Sequence, residues 1–138
     1  MDAKTFSKFL YAEMGLLVVQ FLLGMYVNLY INIPTTLTTS FWEAASTPLV
    51  IAHMWVGTAL LGVAIYLALR SGAAINPAAR WAAYSGLFWV AFAFASGIAF
   101  LFGGADNVYS YLMSAGFLFA VMSYGFAAGA TTFRSRTA

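Results

Sequence analysis

Four long apolar runs, separated by short polar segments, make up most of the chain. They cover residues 9–30, 49–69, 81–102 and 108–128. Each is close to the ~20 residues that an α-helix needs to cross ~30 Å of hydrocarbon. No connection is long enough to separate domains. The pattern therefore predicts a single domain over 1–138, an all-α integral membrane protein folded as an antiparallel four-helix transmembrane bundle.

The first connection carries its own helix signal. Ser40 is followed three residues later by Glu43, the spacing of a capping box, in which each side chain bonds a backbone N–H of the other residue. This spacing predicts a short interfacial helix over about 41–46, with a simple solvated loop as the alternative. Pro48 then suits the first turn of the second spanning helix, where its missing N–H is not needed.

The basic residues predict the orientation of the bundle. A four-span path places all six on one side of the membrane: Lys4, Lys8, Arg70, Arg80, Arg134 and Arg136. The only charged residues in the connections on the opposite side are Glu43 and Asp106, which are both acidic. Since Lys and Arg concentrate in cytoplasmic loops, we expect both termini to be cytoplasmic, in a prokaryotic cell membrane. The first run is too long for a signal peptide and is expected to be a retained anchor.

Composition supports a bilayer as the solvent. Hydrophobic residues make up 63% of the chain and charged residues 7%, against about 25% charged in a soluble domain. The net charge of +2 gives no argument for nucleic acid. The absence of cysteine excludes disulfides and thiolate-held iron–sulfur clusters. No nucleophile–base pair, phosphate loop or metalloprotease motif is present, so the chain is not expected to be an enzyme on its own.

Small residues and polar residues each follow one face of a span. In the third span, Gly86, Val90, Ala93 and Gly97 share a face, which predicts a close helix–helix contact.

In the first span, a polar stripe turns toward the bundle, either for interhelical hydrogen bonding or as the wall of a cofactor site. Its members are Glu13, Gln20, Gly24 and Asn28. Glu13 lies near Lys8 and the cytoplasmic end, where we expect it to be solvated.

His53 is the only histidine and lies inside the second span. An ionisable side chain at such a position is costly and marks a candidate functional site. Gly57, one turn below, is expected to open space beside the ring. Matched depths predict an outer-leaflet layer made of Asn28, His53, Gly97, Tyr109 and Met113.

Several ligands fit this candidate layer. Haem b is one, with His53 and Met113 as the axial ligands of the iron, although membrane cytochromes generally use paired histidines. A quinone headgroup, hydrogen-bonded by His53 and by Asn28 or Tyr109, is another. A single histidine without cysteine is a poor site for zinc or copper. The remaining alternative is a neutral His53 that donates to Asn28 or to a backbone carbonyl and only locks the bundle.

Three stretches resemble a group of small four-span prokaryotic membrane proteins. They are QFLLGMYVNLY at 20–30, AHMWVG at 52–57 and SYLMSAGF at 110–117. The group's patterns are Q-x-x-x-G-x-x-x-N-L-Y, H-x-x-x-G and S-x-x-M-x-x-G-F. The resemblance implies a fold and a set of marked positions: Gln20, Gly24, Asn28, His53, Gly57, Met113 and Gly116. The third span departs from the group, because residues 95–99 lack its asparagine.

These observations lead to a set of functional expectations. The first is a small membrane subunit that binds haem b in the outer leaflet and serves electron transfer. The alternatives are an accessory subunit of a larger respiratory membrane complex and a quinone-binding membrane anchor. The expected partners are the lipid bilayer and either a larger membrane complex or further copies of the chain.

Overall fold

Four long α-helices form the protein. The structure, a computed structural model, describes residues 3–31, 47–72, 76–103 and 105–135. The helices are α1 (Ala3–Tyr30), α2 (Pro48–Arg70), α3 (Pro77–Phe102) and α4 (Asn107–Ser135). Each contains one predicted apolar run, and all four are long and apolar enough to cross a membrane. This confirms the predicted class of fold, an all-α bundle of spanning-type helices. The predicted short helix at 41–46 lies outside the described residues.

Local signals explain where the helices begin. Pro48 opens α2, as predicted, and Pro77 opens α3. The Asn76 side-chain oxygen accepts a hydrogen bond from the Ala78 N–H at 3.0 Å, which satisfies one of the free donors of the first turn. With Asn76 as its cap, α3 begins at Pro77, one turn before its apolar run starts at residue 81.

The helices pack in a ring, each against the next in chain order, with α4 closing the ring against α1. On neighbouring helices, residues late in one helix contact residues early in the other. Phe21 stacks on Phe117 with ring centroids 5.2 Å apart, and Asn28 contacts Ser110 further along α1. The ring is therefore antiparallel, and α2 and α4 lie diagonally across the bundle from one another.

The most extensive contact is between α3 and α4. A Cβ built on Gly116 would lie 2.9 Å from the Ala93 Cβ, and one on Gly97 would lie 3.2 Å from the Met113 sulfur. Gly86 lies directly beneath the ring of Tyr124. The predicted small-residue face of the third span is therefore confirmed as a contact face, and its partner is α4.

The inside and outside of the bundle are both apolar. The buried core contains Phe6, Leu10, Leu17, Leu60, Ala64, Leu67, Val90, Ala120 and Tyr124. Large apolar side chains also cover the outer surface, such as Leu22, Trp55, Leu69, Phe88, Met122 and Phe126. Water would penalise such a surface, whereas hydrocarbon solvates it.

Candidate functional site

Gln20 and His53 form a hydrogen bond between α1 and α2. The Gln20 Nε2 atom lies 3.2 Å from the His53 Nε2 atom. An amide NH₂ group only donates, so the imidazole nitrogen accepts in this arrangement. With the amide turned this way, the neutral ring carries its proton on Nδ1; with the amide oxygen turned toward the ring, the proton would be on Nε2.

Two glycines make this approach possible. A Cβ on Gly24 would lie 3.0 Å from the His53 Cε1 atom, and a Cβ on Gly57 would lie 3.1 Å from the Gln20 Nε2 atom. Each polar side chain therefore lies over a glycine of the opposite helix. On both helices the glycine follows the polar residue by four positions, the spacing that places two residues on one helix face. The space beside Gly57 is taken by Gln20.

The pair leaves two polar atoms without partners. His53 Nδ1 and Gln20 Oε1 are buried, and neither has a hydrogen-bond partner within the described part of the chain. A buried polar group without a partner costs about 1–3 kcal/mol, and in hydrocarbon no water is available to replace the partner. Two residues that are hydrogen-bonded to each other therefore carry one free donor and one free acceptor inside an apolar bundle.

The other residues of the predicted layer make separate interhelical contacts. The Ser110 hydroxyl donates to the Asn28 side-chain oxygen at 3.4 Å, which joins α4 to α1. Met113 packs on Gly97, between α3 and α4. Tyr109 packs at the end of α3, where its Cε2 atom would lie 2.7 Å from a Cβ on Gly103.

The placement of His53 bears directly on haem ligation. Nε2 is the imidazole nitrogen best placed at the tip of the ring to bind an axial metal, and Gln20 occupies it by the hydrogen bond described above. Met113 lies on the diagonal helix, with its sulfur against Gly97. Iron at Nε2 and the Gln20 hydrogen bond exclude one another, so haem bound through this atom requires Gln20 to move away.

Sequence reasoning missed the partner of His53. It assigned Asn28 or a backbone carbonyl to the ring and placed Gln20 only in the general polar stripe. The available signal was the repeated spacing, a polar residue four positions before a glycine, at Gln20 and Gly24 and again at His53 and Gly57.

The expectation for Glu13 was wrong. Its side chain is 0% exposed and lies in the bundle interior rather than in solvent beside Lys8. Five residues separate the two, which is about 140° round a helix of 3.6 residues per turn. Lys8 therefore points away and is exposed, while Glu13 points inward.

Comparison with protein-family models, with curated proteins and with solved structures finds no match to this chain. The residues around Gln20 and His53 are therefore the basis on which a function can be assigned.

Proposed function

We propose that the chain is a membrane subunit that binds a quinone-type headgroup, a lipid-soluble ring bearing carbonyl or hydroxyl groups, at Gln20 and His53. The observation that carries this proposal is the pair of buried, unpartnered atoms, His53 Nδ1 and Gln20 Oε1. Such atoms are rare in folded proteins, and each calls for a partner.

A quinone-type ligand has the hydrogen-bonding groups that this pair needs. Its carbonyl oxygen accepts from the Nδ1–H of His53, and the hydroxyl of the reduced form also donates to Gln20 Oε1. The pairing does not depend on how the Gln20 amide is turned. If its oxygen accepted from Nε2–H, then Nδ1 would become the free acceptor and the amide NH₂ the free donor.

The apolar surroundings favour the same class of ligand. The site lies between two helices of spanning type, so a ligand reaches it from the hydrocarbon phase. A charged or strongly hydrated ligand would lose its hydration there, whereas a quinone is already dissolved in lipid. This favours a lipid-soluble ligand over a water-soluble metabolite.

The orientation follows from the basic residues. The antiparallel ring gathers the start of α1, the end of α2 and the start of α3 at one end, and with them Lys8, Arg70 and Arg80. By the positive-inside rule this end is cytoplasmic, which makes the chain N-in and C-in. The quinone site then lies in the outer half of the bilayer. A partner protein, or a second copy of the chain, would pack on the apolar outer surface.

Solvent extraction of the purified protein tests the proposal. We expect quinone to co-purify with the wild-type chain and to be lost from Gln20→Leu and His53→Leu. The matched control is Ser85→Ala with Ser123→Ala, which removes a 3.0 Å hydrogen bond between α3 and α4 and should retain the quinone. Equal quinone content in all these variants would contradict the proposal.

The same samples test haem b. If haem is the ligand, the protein is coloured, and its Soret band disappears in His53→Leu. Gln20→Leu would retain the band, because it frees the Nε2 atom of His53 rather than removing it. Such a result would replace the quinone proposal with the haem one.

A further inference from the structure

A second polar cluster lies roughly 10 Å from Gln20 along α1, seven residues closer to the start of that helix. Glu13 on α1 and Tyr124 on α4 are each 0% exposed. Both carboxylate oxygens and the tyrosine hydroxyl lack hydrogen-bond partners within the described residues. The antiparallel register that brings Phe21 to Phe117 and Asn28 to Ser110 also brings Glu13 to the level of Tyr124. Neither belongs to the Gln20–His53 site.

The packing fixes both side chains in place. Leu10 and Leu17, one turn to either side of Glu13, belong to the buried core. The Tyr124 ring lies over Gly86 of α3, where a Cβ would be 2.6 Å from its Cε1 atom. Glycine at 86 therefore lets the hydroxyl end of the ring lie in the interior, at the level of Glu13.

Within the described residues, no lysine or arginine side chain donates a hydrogen bond to the Glu13 carboxyl. On its own helix, Lys8 is exposed. On α2, Arg70 is exposed and lies over the ring of Tyr66, 5.7 Å from its centroid. On α3, Arg80 is only half-buried at the helix start. An unpaired carboxylate anion in an apolar interior costs so much that the group takes up a proton instead.

We propose that Glu13 is an internal proton-binding site, at which a neutral carboxylic acid, positioned by Tyr124, binds and releases one proton inside the bundle. Its ligand is the proton itself. The proton exchanges with the aqueous phase at the end of the bundle where α1 begins. The basic residues lie at the same end. Tyr124 is a positioning residue: its hydroxyl makes no hydrogen bond to the carboxyl in this structure and forms one when the proton is bound.

Infrared spectroscopy of the protein in lipid bilayers tests this directly. The chain has four acidic residues in all, Asp2, Glu13, Glu43 and Asp106, so assignment is simple. We expect the carbonyl band of a protonated carboxyl group at neutral pH, lost in Glu13→Gln. The control is Asp106→Asn, which changes an exposed helix-capping carboxylate and should leave the band unchanged. Absence of the band from the wild type, or its survival in Glu13→Gln, would overturn the proposal.

The role of Tyr124 has its own readout. Tyr124→Phe keeps the ring on Gly86 and removes only the hydroxyl. We expect the carbonyl band to remain but to move to higher frequency, as for a carboxyl group that has lost a hydrogen bond. An unmoved band would overturn the positioning role.

A lipid-soluble carbodiimide provides a chemical test without any substitution. The protonated carboxyl transfers its proton to a carbodiimide nitrogen, and its oxygen bonds to the central carbon. The acyl group then migrates to nitrogen, which gives a stable N-acylurea that retains every atom of the reagent. We expect one adduct, mapped to Glu13 by mass spectrometry, whose formation slows as pH rises. Protection by sodium ions at constant pH would overturn the assignment of the proton as the ligand, and so would exclusive labelling of Asp106.

Discussion

Gln20 and His53 lie on different helices, and each occupies the space that a Cβ would fill on a glycine of the other's helix. Their nitrogen atoms meet at 3.2 Å. This reciprocal contact fixes the register of α1 against α2, because sliding either helix by one turn would separate both side chains from their glycines. The position of the candidate ligand site therefore depends on Gly24 and Gly57 as much as on the polar residues.

Gly24→Ala is expected to push the His53 ring away from Gln20. The new Cβ would lie 3.0 Å from Cε1, closer than ordinary van der Waals contact. Such overpacking typically costs about 1–3 kcal/mol. Thermal unfolding in detergent, followed by circular dichroism, measures the loss. Gly15→Ala is the matched control on the same helix, because nothing lies within 4 Å of its Cβ. Equal stability of the two variants would contradict the described register.

Gly86→Ala is expected to disrupt the contact between α3 and α4, because the new Cβ would lie 2.6 Å from the Tyr124 Cε1 atom. The ring is 0% exposed, so it can move only by displacing its neighbours. In the Tyr124→Leu background, the same substitution should cost much less, so the two changes are non-additive. Gly125→Ala on α4, with nothing within 4 Å of its Cβ, is the control. Additive effects at positions 86 and 124 would show that the ring is not seated on Gly86.

Ala105→Gly is expected to stabilise the protein. Ala105 has a φ of 56°, in the left-handed region where a Cβ is strained. Glycine adopts this conformation without that strain, and we expect a gain of about 1 kcal/mol. Ala105→Val should have the opposite effect, because a β-branched residue is worse there. A destabilised Ala105→Gly variant would contradict this turn geometry.

Asn76→Ala is expected to destabilise the start of α3 by about 1 kcal/mol, the usual value of a side-chain helix cap. Thr47→Ala is the natural control, because Thr47 occupies the equivalent position before α2 and makes no side-chain capping bond. Thermal unfolding should separate the two variants. Losses of equal size would show that the Asn76 hydrogen bond adds nothing.

The sequence predicted the helices well because apolar length is a local signal. It predicted their ends less well. The helix α1 reaches back to Ala3 and α4 forward to Ser135, beyond the runs that begin at residue 9 and end at 128. The backbone hydrogen bonds of a helix continue through polar residues, whereas a hydropathy window stops at them.

The site was harder to predict than the helices. Depth was judged from the ends of the spans, which grouped His53 with Asn28. The actual register is set by packing, and it places His53 beside Gln20 and Gly24 instead. Asn28 reaches α4 and pairs with Ser110. Span ends do not determine helix register, because small residues at a contact allow one helix to slide along another until side chains and glycines match.

The most direct test of the central claim is nitrogen NMR of the protein labelled with ¹⁵N only in histidine, in bilayers with and without quinone. Because His53 is the only histidine, both signals belong to the site. We expect a neutral ring with the proton on Nδ1, an Nε2 signal that changes in Gln20→Leu, and an Nδ1 signal that shifts when quinone is added. Ring signals that do not respond to saturating quinone, or a ring protonated on both nitrogens, would contradict the proposed site.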